Sequence, residues 1–216
     1  HTDNVAVAFA QRAQNQWIDE AGFTYNPGFS NMTGYNNIPD APRMGGGQIV
    51  YYFLGLQNME GGPVSILQPV LAYSGGEWTG ASWACCPSNI TTTGPTIGPA
   101  KEGDRMYGSM IRTAESTWEI VTQFNGQTSK LKAQVGPWKY NWAVATLEEY
   151  SINSCDQYPH QPVTFDTIEL QDATGSVVHP SWTNPGETTC SGRTTIQDES
   201  TVTIQHSSRD SGSISV

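Results

Sequence analysis

A chain of 216 residues with 20 acidic against 10 basic side chains carries a formal charge of −10, and only 14% of its residues are charged. Phosphate recognition needs clustered Lys and Arg, and none cluster here, so nucleic acid is excluded as a partner and an anionic membrane surface is disfavoured. No apolar run approaches the roughly 20 residues that span a bilayer.

The chain opens at His1 without a Met or an apolar leader, the form expected of a mature secreted chain whose signal peptide has been removed. Asn31-Met32-Thr33 and Asn89-Ile90-Thr91 are N-glycosylation sequons and fit the same extracellular route. Residues 3–21 follow helical spacing. Asp3 is placed to cap, Val5, Phe9, Ala13 and Trp17 recur every four residues, and Gly22 ends the run. The segment VAVAF alone equally suits a strand. Residues 23–47 are rich in Asn, Pro and Gly without periodicity, which predicts a loop packed on the domain through Phe23, Tyr25, Phe29 and Tyr35. The expected organisation is an N-terminal helical or loop extension over 1–46, a β domain over 47–206 and a Ser-rich tail over 207–216.

Residues 48–87 organise the rest. Three apolar, β-branched and aromatic runs, split by Gly-rich turns, predict three consecutive strands. The middle run is apolar on both faces, with Val64, Ile66, Val70 and Ala72 on one and Leu67, Leu71 and Tyr73 on the other. Such a strand is buried between layers. Gln68 sits at its centre. A primary amide there either ties down neighbouring backbone or lines a groove.

Further strands are expected over 105–112, 115–124, 128–135, 138–150, 163–170, 176–178 and 201–205, with Asn125-Gly126 as the strongest hairpin signal. About ten strands joined largely by short turns predict an all-β fold, a two-sheet antiparallel sandwich or jelly roll. Four cysteines allow three pairings and are expected to be oxidised outside the cell. Cys155 and Cys190 suit a clip on the final hairpin. Cys85 and Cys86 are then joined to each other or, since adjacent strand side chains face opposite ways, each bonded elsewhere. No Cys-x-x-Cys spacing points to zinc.

The order of these features resembles the glutamic peptidases of the eqolisin type. The resemblance rests on an apolar strand, Ile66-Leu67-Gln68, a Trp-bearing strand closing on Pro87, the Glu102-Gly103-Asp104 turn, the strand pair about Asn125-Gly126-Gln127, and Val163-Thr164-Phe165. It covers residues 47–206 and is one of motif order and spacing. It implies a concanavalin A-like sandwich of two curved seven-stranded antiparallel sheets, and peptide-bond hydrolysis at acidic pH with no metal or other cofactor. In that family a Glu in the concave groove acts as general acid and base, while a Gln holds the water and stabilises the oxyanion. The family's Gln falls on Gln68. Its Glu falls on Asn141 or Ala145, according to where the alignment starts, with Glu148 and Glu149 a few residues on. The supporting acidic position falls near Ser82 and Ala84. The expectation is therefore an altered or incomplete dyad, with Gln68 and Glu148 as catalytic candidates and Asn141, Trp78, Trp83 and Ser82 as groove candidates.

Three other functions compete. A lectin-like glycan binder would use the same groove with aromatic platforms, and the chain has seven Trp and nine Tyr. A copper enzyme would chelate the metal through His1 and one of His160, His179 or His206. A polysaccharide hydrolase would need two carboxylates facing one groove, with Glu119, Glu148 and Glu149 available. The expected ligand is an extracellular polypeptide or glycan.

Overall fold

The computed structural model describes residues 17–206 apart from residues 61, 87–89, 185 and 187. Over these residues the chain forms strands β1 (Trp17–Thr24), β2 (Phe29–Asn37), β3 (Ile49–Gln57), β4 (Ile66–Ser74), β5 (Glu77–Cys85), β6 (Thr92–Thr93) and β7 (Ile97–Ala100). They continue as β8 (Arg105–Ala114), β9 (Thr117–Phe124), β10 (Gln127–Gln134), β11 (Trp142–Tyr150), β12 (Val163–Asp172), β13 (Arg193–Asp198) and β14 (Thr201–Gln205). Two seven-stranded sheets result. The first runs β1-β11-β3-β4-β5-β6, with β7 also paired to β5, and the second runs β10-β9-β8-β2-β12-β14-β13. The pairings are antiparallel throughout.

The sheets pack face to face, as apolar alternation on consecutive strands demands. Leu56, Leu67, Leu71, Tyr73 and Trp78 of the first sheet share one core with Met32, Met106, Met110, Trp118, Ile120 and Phe124 of the second. Burying each large apolar side chain contributes about 1.5–3 kcal/mol. Close approach of the sheets depends on Gly108 in β8. A Cβ there would lie 2.6 Å from Cγ of Pro69 in β4. Proline cannot move aside, so Gly108→Ala is expected to destabilise the fold by about 1–3 kcal/mol through overpacking. Equilibrium urea unfolding tests this, and an unchanged midpoint would show that the sheets can separate freely there.

The N-terminal expectation needs correction. Residues 1–16 lie outside the described residues, but 17–21 are strand, and the chain continues into β2 where a loop was predicted. These residues contribute one strand to each sheet and are part of the sandwich. A bulge between Trp17 and Asp19 breaks the alternation of β1, so Ile18 and Asp19, then Ala21 and Gly22, are buried in pairs. That spacing imitates a helix. In β2 the inward positions beside Met32 are Gly34 and Asn36, which leaves no apolar alternation to detect. A bulge also alters β12, where strict alternation would set Val163 and Phe165 against Ile168 and Leu170. Its register shifts between Asp166 and Glu169, with Thr167 at φ 54°, and all four side chains enter the core. The strand expected over 176–178 is a single bridge, Val177 to Gln171. Among the described residues no helix is long and apolar enough to cross a membrane. The tail over 207–216 lies outside them.

Candidate ligand-binding face of the first sheet

In β4, the side chains of Leu67, Leu71 and Tyr73 enter the inter-sheet core, so Ile66, Gln68, Val70 and Ala72 occupy the outer face of the first sheet. Strand registers then fix what surrounds Gln68. It lies opposite Trp83 of β5. On its other side Leu56 pairs with Leu67 and Phe53 with Val70, which sets Gly55 level with Gln68. Gly55 pairs with Val144, and Val144 with Gly22. The row through Gln68 therefore reads Gly22, Val144, Gly55, Gln68, Trp83. It contains no carboxyl group.

Phe53, Ile66 and Val70 form a second apolar cluster on this face, with Trp17, Tyr51, Ala72, Trp83 and Cys85 packed partly exposed around it. Trp17 stacks on Trp142 at 5.6 Å and 15°, and Tyr51 meets Trp83 edge-on at 5.2 Å and Tyr150 at 5.9 Å. A buried apolar floor ringed by half-exposed aromatic side chains gives this face the make-up of a shallow depression suited to a ligand with apolar faces. Gln68 is only 4% exposed, and its side-chain amide has no hydrogen-bond partner among the described residues. The other buried amides of this half are tied down. Asn58 donates to the Pro63 carbonyl and Asn141 accepts from the Met59 amide. A structural Gln is normally satisfied in this way. Gln68 is not.

The remaining sequence candidates divide by face. Trp83 lines the depression, but Trp78 and Ser82 point into the inter-sheet core. There the Ser82 hydroxyl meets Thr122 at 3.1 Å and donates to the Ser129 carbonyl. Both are corrected as groove residues, because β5 alternates and only its odd-numbered positions here face outward. Asn141 precedes β11 and holds the 57–59 turn through Met59. Ala145 and Ala84 are core residues. Glu148 does face outward. It accepts a 2.6 Å hydrogen bond from the Tyr150 hydroxyl and another from the Trp17 indole. Opposite Thr146 of β11 stands Glu20 of β1, which sequence inspection missed because the β1 bulge hid the strand. The adjacent Glu149 faces inward beside Tyr158, and Glu119 pairs with Lys130 at 2.8 Å on the second sheet, so neither joins Glu148.

Burial raises the pKa of Glu20, Glu148 and Glu149. Asp19 adds to the shift at Glu20, while hydrogen bonds from Tyr150 and Trp17 oppose it at Glu148. An acid whose folded pKa is raised binds its proton more tightly when folded, so its contribution to stability is lost as pH climbs from the unfolded value of 4.5 through the folded one. All three act in this direction. The melting temperature is accordingly expected to fall between mildly acidic and neutral pH, and Glu149→Gln should flatten that fall. A melting temperature that climbs steadily to pH 7 would refute it.

The disulfides are Cys85–Cys86, at the end of β5 beside the depression, and Cys155–Cys190, whose Cα atoms are 5.4 Å apart. The histidines considered for copper are dispersed. His206 is buried against Asp19, His179 lies 2.7 Å from Glu199, and His160 lies 3.8 Å from Asp156. Among the described residues no three His, Cys, Asp or Glu side chains are grouped to hold a metal ion; His1 and Asn89 lie outside them. Asn31 sits within β2, hydrogen-bonded to strands on both sides. Two open hollows of about 390 and 370 Å³ flank Arg105 on the second sheet, but its guanidinium is engaged by Asp166 at 2.5 Å and by the Tyr35 ring.

No protein-family profile matches the sequence, and no curated protein matches it. Solved structures match the fold. Scytalido-glutamic peptidase with a peptide-based transition-state analogue superposes with a TM-score of 0.68 at 16% identity, over 88% of this chain and 98% of that one. A second structure of that peptidase, with a transition-state analogue inhibitor, gives 0.65 at 15% over the same shares. SCP-B, a member of the eqolisin family of peptidases in complex with the tripeptide Ala-Ile-His, also gives 0.65 at 15%, over 88% and 98%. At such identities the likeness is one of fold. In architecture this chain is a distant counterpart of the eqolisin-type glutamic peptidases.

Proposed function

We propose that the outer face of the first sheet binds an extended, uncharged glycan strand. The observation that carries this reading is Gln68, a buried amide without a hydrogen-bond partner among the described residues, amid half-exposed aromatic rings. Aromatic rings stack on the C–H faces of sugars, and a free amide offers both a donor and an acceptor to their hydroxyls. Strands β1, β3, β4, β5 and β11 contain no Lys, Arg or His, which disfavours anionic polymers. Two disulfides favour an oxidising, extracellular setting.

Peptide-bond hydrolysis is the second reading. It is favoured by the placement of Gln68 on the same face as Glu148, in a fold shared with peptidases that bind peptide analogues. It is weakened by the row through Gln68, where a water-activating Gln and Glu would have to meet and Val144 and Gly55 stand instead. Calorimetric titration with neutral oligosaccharides, beside acid-pH digestion of an unfolded protein, separates the two. Saccharide binding without new peptides is expected. New peptides that disappear in Gln68→Ala, with no saccharide bound, would overturn the glycan reading.

A further inference from the structure

Two carboxyl groups on the depression have no role in binding by stacking, and they differ in surroundings. Glu20 lies opposite Thr146 and Glu148 two residues farther along β11, opposite Trp17. Diagonal positions on adjacent strands place Cβ atoms about 7 Å apart. We propose that Glu20 and Glu148 act as general acid and general base in hydrolysis of a glycosidic bond bound across this face, with inversion at the anomeric carbon.

The roles follow from what each group touches. Glu20 is half-buried, stands beside the buried carboxylate of Asp19, and has no hydrogen bond or ion pair among the described residues. No described group stabilises its charge, which suits it to the role of proton donor. Glu148 accepts hydrogen bonds from Tyr150 and Trp17, which favour its anion, with Tyr51 as the remaining titratable neighbour. Burial raises both groups, and it is the donors, present at Glu148 and absent at Glu20 among the described residues, that assign the base and the acid. Inversion requires carboxyl groups about 6.5–9.5 Å apart, with room for a water molecule between them, and the diagonal placement of Glu20 and Glu148 is compatible with that spacing. The Trp17–Trp142 stack adjoins Glu148 through Trp17 and supplies a platform for a sugar ring, while Gln68 offers its amide on the same face.

In the reaction, the Glu20 carboxyl gives its proton to the glycosidic oxygen as the bond from that oxygen to the anomeric carbon breaks. A water molecule gives one proton to the Glu148 carboxylate, and its oxygen forms the new bond from the opposite face. One water is consumed and two hydroxyl ends appear. The protons left on Glu148 and missing from Glu20 re-equilibrate through solvent.

This inference rests on the glycan reading, and the test separates them. The full chain is incubated at pH 4–7 with soluble neutral α-glucan, β-glucans, xylan and mannan, and new reducing ends are followed by mass spectrometry in ¹⁸O-water. Binding is measured in parallel by calorimetry. The expected result is single ¹⁸O incorporation at the new reducing end, initial products of inverted configuration by NMR, and a fall of about 100-fold or more in Glu20→Gln and Glu148→Gln. Loss of Glu20 alone should remove the upper-pH limb of the rate profile, which a merely structural role would leave in place. Binding without cleavage, or cleavage unchanged in both variants, overturns the inference and leaves the glycan reading standing. Neither binding nor cleavage overturns both.

Discussion

His206→Ala is expected to destabilise the protein by about 3–5 kcal/mol, a large part of the stability of an ordinary domain. His206 follows β14 of the second sheet and Asp19 lies on β1 of the first, with Nε2 and Oδ2 2.7 Å apart and side-chain exposures of 1% and 0%. The Thr188 hydroxyl donates to the other Asp19 oxygen at 2.7 Å, and the Tyr158 ring stacks on the imidazole at 4.1 Å and 8°. Gly192 closes the site, since a Cβ there would lie 2.7 Å from both Asp19 Oδ2 and His206 Nε2. Cys155–Cys190 ties together the two segments that bring Tyr158 and Thr188 to the pair. Removing the imidazole leaves the Asp19 carboxylate buried with one hydroxyl for company. Urea unfolding of His206→Ala, Asp19→Ala and the double variant checks this, and the double variant should lose clearly less than the sum of the singles. Additive losses would mean that the two residues stabilise the fold independently and that the pair is incidental.

Gln68→Leu is expected to abolish ligand binding while leaving stability unchanged or raised by about 1 kcal/mol. The reasoning follows the asymmetry of hydrogen bonds. Deleting a satisfied buried amide strands its partners and costs about 1–3 kcal/mol, whereas replacing an unpartnered one by an apolar group of similar size removes a desolvation cost. Among the described residues Gln68 has no partner to strand, and its neighbours Ile66 and Val70 are already apolar. For the ligand the sign reverses, because its hydroxyls lose a donor and an acceptor, and a tenfold or greater weakening is about 1.4 kcal/mol or more. Calorimetry and unfolding on the same preparation read both quantities. A variant that binds as before, or unfolds markedly earlier, would return Gln68 to an ordinary structural role.

Much of this was legible in the chain. The runs 48–57, 63–73 and 78–87 became β3, β4 and β5 at the heart of the first sheet, because two-sided apolarity has few other solutions. Asn125-Gly126 became the turn between β9 and β10. The special status of Gln68 was visible as an amide among apolar neighbours. What failed did so where bulges reset the alternation. In β1 the bulge concealed Trp17 and Glu20, two residues on which the depression depends, and in β12 it moved Ile168 and Leu170 across the sheet.

By itself, the sequence determined the fold class, the central strands, the presence of an amide where apolar packing was due, and the absence of any basic patch. These are properties of period and composition, and they are local. Which residues share the face of Gln68 was decided only by tertiary structure, since strand register moves every side chain between faces with a one-residue step. That register put Val144 and Gly55 level with Gln68 in place of a carboxyl. It turned Trp78 and Ser82 inward, and it brought Glu20 diagonal to Glu148 from a segment 128 positions away.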